Sequence, residues 1–299
     1  MGTPDFAVDS LRILHENGYN IVGVITTADK FGGRGGKKVI QSAVKLAALE
    51  MGLNILQPLN LKAKSFIAEL KELNANLQIV VAFRMLPKIV WDMPKHGTYN
   101  LHGSLLPKYR GAAPIHWAVI NGEKETGVTS FKLQHKIDTG DLLFQEKITI
   151  EKTDTTGIVY AKLKILGAEV VLKSVDAVSK GEVKLMQQKE TLVTHAPKLN
   201  RFNCKINFSK TTLEVYNQIR GLNPFPLAWT HLVHKEVKII SANPLNLKYP
   251  YYPGSIVSDE KTFLHYCTAD GCIEVNELKI EGKKAMKIKE FLNGRKLFT

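Results

Sequence analysis

The chain has 299 residues, 44% of them hydrophobic and 23% charged, with a formal net charge of +13. This length accommodates two domains with separate cores, and the composition is that of a globular protein, not a disordered or fibrous one. No run of about 18 apolar residues exists, which excludes a spanning helix. "MGTPDFAVDS" lacks the basic and apolar regions of a secretory signal, so the chain is expected in the cytoplasm with no membrane partner. The positive excess suits an anionic partner such as nucleic acid and equally suits a solubilising surface.

In chain order, "PDFAVDSLRILHENG" carries apolar residues at helical spacing and stops at Gly18, and "YNIVGVITT" reads as a buried strand. "QSAVKLAALEMG" is a predicted helix, "LNILQP" a short strand, "KSFIAELKELN" a helix and "LQIVVAF" a continuous apolar strand of the parallel-sheet kind. "GTYNLHG" is the next strand, "APIHWAVING" a helix, and "ETGVTSFKL" and "DLLFQEKITI" two further strands before a long helix over about Thr156 to Ser179. Such alternation predicts an open, doubly wound, mostly parallel sheet with helices on both faces. A sheet of this type begins with an apolar strand feeding its first turn, yet Met1-Gly2-Thr3-Pro4 already reads as that turn. The first strand is therefore missing from the pattern: either the start is assigned too late, or the sheet has lost a central member.

The expected catalytic-size domain covers residues 1–186, a polar, irregular linker 187–206, and a second domain 207–299. In the second domain one helix, "TTLEVYNQIRGL", precedes short strands bounded by Gly, Pro and Asp, the pattern of a small β-barrel. The three cysteines, Cys204, Cys267 and Cys272, are too few and too odd for a disulfide framework. His265 stands near Cys267 and Cys272, but a zinc site needs a fourth ligand at compatible spacing and none is nearby, so the expectation is buried thiols and no metal.

The chemistry-bearing stretch is "YNLHGSLLPKYRGAAPIHW". Residues i and i+2 of a strand share a face, so Asn100 and His102 project side by side, an amide donor and an imidazole. Gly103 permits close backbone approach and Pro107 stiffens the turn behind them. Alone, an Asn-x-His at a strand end is usually hydrogen-bonded scaffolding, and an Asp beside a Gly, as in "IDTGD", is usually a turn residue.

From Asn100 onward, "NLHGSLLPKYRGAAPIHWAVINGEKETGVTSFKLQHKIDTGDLL" closely resembles the core of the formyltransferases that use 10-formyltetrahydrofolate. The resemblance runs from "GTPDFAV" to "GKKAMKIKEFLNG" and, over the whole chain, is to the branch acting on methionyl initiator tRNA. It implies a Rossmann-like first domain, whose first strand is the one missing from the pattern, and an OB-like second one; a monomer is expected. It implies that Asn100, His102 and Asp138 are catalytic, that Ser104, Leu105, Leu106 and Pro107 line the folate site, and that the pterin end lies against "VVAFRMLP", with Phe83 and Met85. Transfer between nitrogens passes through a tetrahedral oxyanion, for which preorganised donors such as the Asn100 amide and the His102 ring are the requirement. A carboxylate beside the His favours its charged form.

"DKFGGRGGKK" joins glycines to an arginine and two lysines after a strand; it has neither Walker nor dinucleotide spacing. The resemblance implies that this loop, with Arg34, Lys37 and Lys38, wedges against the tRNA acceptor stem; Lys283, Lys284 and Lys287, crowded on a small barrel, are expected to hold tRNA phosphates. Two alternatives stay open: a UDP-amino-sugar formyltransferase with nearly the same core, and a non-catalytic RNA-binding relative.

Overall fold

The computed structural model describes residues 1–32 and 35–293; Arg34 lies outside the described residues. After a 3-10 turn (Asp5–Ala7), the elements run α1 (Val8–Glu16), β1 (Val24–Ile25), β2 (Lys30–Gly32), β3 (Lys38–Ile40), α2 (Ala43–Glu50), β4 (Ile55–Leu56), α3 (Lys64–Glu72) and β5 (Gln78–Val81). They continue with α4 (Lys88–Trp91), β6 (Thr98–His102), β7 (Arg110–Gly111), α5 (Pro114–Ile120), β8 (Glu125–Lys132), β9 (Leu142–Thr149), α6 (Thr156–Lys180) and β10 (His195–Ala196). The last third holds α7 (Thr212–Gly221), β11 (Ala228–Leu232), β12 (Lys235–Leu245), β13 (Ile256–Ser258), β14 (Leu264–Cys267), β15 (Cys272–Ile280), β16 (Ala285–Lys287) and α8 (Ile288–Leu292). Among the described residues no helix is long and apolar enough to cross a membrane.

The chain divides into two compact units, one of residues 1–111, 127–148 and 160–195, the other of 112–126, 149–159 and 196–299. In the first, β1 pairs β4 in parallel and β5 pairs β6 in parallel. The order β5-β6-β8-β9 forms the larger sheet, and β8 runs antiparallel to β6. The sheet is thus the mostly parallel one expected, with an antiparallel edge. A parallel return needs the intervening chain to cross back over the sheet face with a helix. The helix available in that stretch, α5, packs against α7 instead.

Between β1 and β5 stands a stub of backbone. Gly2 N–H donates to the Ile25 carbonyl (3.1 Å), and Gly2 forms a parallel bridge to Val81. The Met1 amine donates to the Ile79 carbonyl (2.7 Å), and Val81 N–H donates to the Met1 carbonyl (2.9 Å). Two residues thus occupy the place where the pattern calls for a whole strand. The segment "YNIVGVITT", apolar enough for a full strand, forms a ladder only at Val24 and Ile25.

The second unit is a curled antiparallel sheet in the order β11-β12-β15-β14-β13, with β16 on β15. A bulge near Ser241 in β12 bends it. Its core joins Ile219 and Leu222 of the α7 region to Ile239, Leu264, Tyr266, Ile273 and Leu278, all essentially inaccessible. α7 starts at a capping box in which Thr211 and Glu214 satisfy each other's backbone N–H. Its buried Arg220 donates to the Asp154 carbonyl (2.8 Å) and to Asn217 Oδ1 (2.8 Å). Cys204, Cys267 and Cys272 are buried free thiols.

Candidate active site

The carboxyl ends of parallel strands carry the loops on which ligands sit in open α/β sheets. Here the loop after β1 holds the β2–β3 hairpin, the loop after β5 is residues 82–87, and the turn after β6 is residues 103–109. β6 is flanked on both sides: Asn100 lies in register with Val80 of β5 and Phe131 of β8. Asn100 and His102 alternate past Leu101 and therefore share one face, about 6.6 Å apart along the strand. No side-chain partner holds the Asn100 amide among the described residues, so its donors remain available.

His102 is buried, and its Nε2 lies 2.9 Å from the Tyr109 carbonyl oxygen. A carbonyl only accepts, so Nε2 carries a hydrogen and donates it. That fixes the ring and leaves Nδ1 facing Asp138, whose Oδ2 is 3.8 Å away. This separation is too long for a hydrogen bond, with both side chains mostly buried. The same Oδ2 accepts the Gly111 N–H at 2.8 Å. Asp138 thus stands beside His102 without bonding to it, while a backbone carbonyl sets the ring's orientation.

Asp138 sits in the β8–β9 connection with φ of +54°, a left-handed conformation that Asp tolerates better than most residues. The loop is pinned from outside its own sequence. Gln188 Nε2 donates to the carbonyls of Asp138 (2.9 Å) and Gly140 (2.8 Å). Gln188 Oε1 in turn accepts from Arg110 Nε (3.0 Å) and Nη2 (2.8 Å), and Arg110 Nη2 also reaches Glu190 (2.8 Å). The Arg110 guanidinium holds the Glu190 carboxyl below its usual pKa. Gly140 is forced by contact: a Cβ there would stand 1.7 Å from the Lys132 carbonyl oxygen. Sequence reasoning missed Arg110, Gln188 and Glu190; only the arginine following the turn offered a signal.

The turn of residues 103–107 is held from within. The Ser104 hydroxyl donates to the Lys108 carbonyl (2.7 Å), Thr129 Oγ1 accepts the Leu106 N–H (3.1 Å), and Gln145 Nε2 donates to the Leu106 carbonyl (2.7 Å). Leu106 packs with Phe131 and Leu142 in a small core, so its side chain faces inward, where a surface offered to a flat ring was expected. The half-buried residues of this turn are Leu105 and Pro107. In the loop after β5, Phe83 packs on the core around Val80 and Val90, whereas Met85 is 73% exposed. The two therefore sit differently, and Arg84, donating to the Leu59 carbonyl (2.9 Å), ties the loop to the segment after β4.

Lys37 and Lys38 are exposed beside the turn of the β2–β3 hairpin, where Gly35 and Gly36 adopt positive φ. Lys283, Lys284 and Lys287 are exposed on and beside the β15–β16 turn. The second unit also holds a cavity of about 800 Å³ whose lining includes Lys198, Arg201, Trp229, Lys238 and Lys279. There the Arg201 guanidinium lies 4.5 Å from the Trp229 ring and the Lys205 ammonium 5.5 Å from it, cation–π contacts that the sequence pattern did not reveal.

The model of the formyl transferase domain matches residues 1–175, and that of the formyl transferase C-terminal domain matches residues 198–296. A methionyl-tRNA formyltransferase of Bacteroides fragilis is 50% identical over 98% of this chain and 93% of its own, and one of Flavobacterium johnsoniae is 48% identical over 98% and 94%. Among solved structures, the sugar 3N-formyl transferase WlaRD superposes with a TM-score of 0.69 at 24% identity, covering 95% of this chain and 97% of its own. An N-formyltransferase from Helicobacter canadensis gives 0.68 at 23%, over 92% and 96%. At that identity these two share the fold. The long matches to both domains, together with half-identity across nearly the whole length, establish that the chain belongs to the formyl transferase family.

Proposed function

We propose that this chain moves a formyl group from 10-formyltetrahydrofolate to the α-amine of methionine on initiator methionyl-tRNA. The observation that carries the chemistry is His102 Nδ1 facing the Asp138 carboxylate at 3.8 Å, with Asn100 on the same face of β6 and its amide without a side-chain partner among the described residues. The acceptor reading rests on the methionyl-tRNA formyltransferases at 48–50% identity, and the cytoplasm is where such a substrate occurs. Solved relatives in complex with folinic acid or tetrahydrofolic acid support a folate carrier.

The amine attacks the formyl carbon, and a tetrahedral oxyanion forms as the carbonyl bond opens. The Asn100 amide donates to that oxygen, and His102, protonated on Nδ1, places positive charge beside it; one such donor is worth about 2.7–4 kcal/mol. Asp138 stabilises the cationic ring in its buried place and accepts the proton that the amine sheds. Collapse breaks the bond to the folate nitrogen, which regains a proton, so the two proton transfers cancel. Gly103, Leu105, Pro107 and the backbone of residues 82–87 form the surface for the folate, with the hydroxyl of Ser104 and the side chain of Leu106 supporting the turn from beneath. Arg34, Lys37 and Lys38 approach the acceptor stem, and Lys283, Lys284 and Lys287 contact phosphates.

Transfer of labelled formyl to methionyl-tRNA, run beside an amino-sugar nucleotide, tests the reading; labelling of the sugar alone would replace it. Asp138→Asn is expected to lower kcat by roughly 10³-fold or more with tRNA affinity retained, by analogy with carboxylates that support a catalytic His. Unchanged turnover would remove Asp138 from the mechanism. Gln188→Ala, which frees the carbonyls of Asp138 and Gly140, is expected to lower kcat roughly tenfold with little change in KM, and Gln188→Glu not to restore it, because the carboxylate cannot donate. Alanine at Lys283, Lys284 and Lys287 together is expected to weaken tRNA binding and to flatten its salt dependence, by about 0.9 in log–log slope for every phosphate these lysines neutralise. An unaltered slope would place the RNA elsewhere.

A further inference from the structure

Both neighbours of the His102 ring are held by one short stretch of the chain, residues 188–194. On the Asp138 side, Gln188 Nε2 donates to the carbonyls of Asp138 and Gly140. On the other side, Thr194 grips the backbone around Tyr109. The Thr194 hydroxyl accepts the Tyr109 N–H (2.8 Å), and the Thr194 carbonyl accepts the Arg110 N–H (2.9 Å). These N–H groups belong to the peptide planes on either side of the Tyr109 Cα, so together they hold the rotation about that atom. The second plane carries the Tyr109 carbonyl to which His102 Nε2 donates at 2.9 Å. Tyr109 stands at a φ of +62°, a left-handed conformation that a bulky residue keeps only where its surroundings over-determine it. Between its two grips the stretch is stiffened: Glu190–Leu192 form a 3-10 turn, and Leu192 N–H donates to the Lys189 carbonyl (3.0 Å). Arg110 ties the ends, its guanidinium on Gln188 and Glu190 and its backbone N–H on Thr194.

We propose that residues 188–194 are a strap that sets His102 against Asp138, and that Thr194 is a positioning residue for His102, acting through Tyr109. Its kinetic consequence rests on the formyl-transfer reading; its structural one rests on these bonds alone. The chain of bonds runs from Thr194 Oγ1 to the Tyr109 N–H, and from the Tyr109 carbonyl to His102 Nε2. A hydrogen on Nε2 leaves Nδ1 as the nitrogen that faces Asp138. When the Tyr109 carbonyl swings away, Nε2 loses its acceptor and either ring nitrogen can carry the single proton of neutral imidazole. The strap thus selects the tautomer as well as the orientation. Valine at this position keeps the shape of threonine and removes the hydroxyl, whereas serine keeps the hydroxyl. Thr194 is itself exposed, so the exchange reads the bond and not the packing of a core.

The test compares Thr194→Val and Thr194→Ser with the parent chain by magnetic resonance of the histidine ring nitrogens and by turnover. The His102 signals are those absent from His102→Asn. The neutral His102 ring of the parent is expected to carry its proton on Nε2 alone; Thr194→Val is expected to lose that signature to a mixture of tautomers, and Thr194→Ser to keep it. In formyl transfer to methionyl-tRNA, Thr194→Val is expected to lower kcat roughly tenfold with KM for both substrates within about twofold, and Thr194→Ser to restore it. In the His102→Asn background the same valine is expected to change the residual rate by less than about twofold, since it acts through that ring. A ring that keeps its proton on Nε2 in Thr194→Val overturns the proposal whatever the rate. So does a tautomer mixture with unchanged kcat, or an undiminished loss of rate in the His102→Asn background. Should the parent chain transfer no formyl to methionyl-tRNA, the formyl-transfer reading falls, and the tautomer readout alone decides the strap.

Discussion

The hydrogen bond from His102 Nε2 to the Tyr109 carbonyl constrains everything the site can do. A carbonyl cannot release its donor to another partner without leaving itself unpaired in a buried place, which is costly. The ring is therefore held in one orientation, and the only nitrogen free to change its proton is Nδ1. That nitrogen faces Asp138 at 3.8 Å. The carboxylate spends no lone pair on the ring, and beyond the Gly111 N–H it keeps acceptor sites for an incoming group. The bond from His102 depends in turn on the turn of residues 103–109 returning its chain to the carboxyl end of β6, where Tyr109 has a positive φ of +62°.

Rigidity reaches Asp138 from two directions. Gly111 N–H fixes its carboxylate, and Gln188 fixes the carbonyls of its loop. Arg110 joins the two, since it adjoins Gly111 in sequence and grips Gln188 through two nitrogens. A fork of fixed geometry suits this task better than a flexible ammonium would. The Asp138 loop is thus held by one connected set of polar contacts running through Gln188 and Arg110.

Most of this architecture was legible from residues because local rules and the fold agree. The i, i+2 spacing of Asn100 and His102 required only a strand, and β6 supplied it between two neighbours. The apolar run of β5 and the helices around it followed from their periods. What was hidden is long-range. Gln188 grips a loop about fifty residues before it, inside a polar stretch with no period, and nothing local distinguishes it from a solvated glutamine. Leu106 reads as a ligand-facing residue in "GSLLP" yet turns inward, because the alternation within a turn depends on its backbone and not on sequence spacing. The stacking of Arg201 on Trp229 joins the segment before α7 to β11 and follows from the packing of the second unit.

β1 forms a ladder with β4 at Val24 and Ile25, and Gly2 bridges to Val81 of β5. The loop that holds the basic hairpin leaves β1, and the loop containing Phe83 and Met85 leaves β5, so these two strands fix where both loops begin. Their spacing is presently set by the two residues Met1 and Gly2 at the carboxyl end, where bonds of 2.7–3.1 Å bind the stub to each side. Those bonds lie at the end of the sheet from which Asn100 and His102 project, where Asn100 is in register with Val80 of β5 and Phe131 of β8 and His102 with Thr129 of β8.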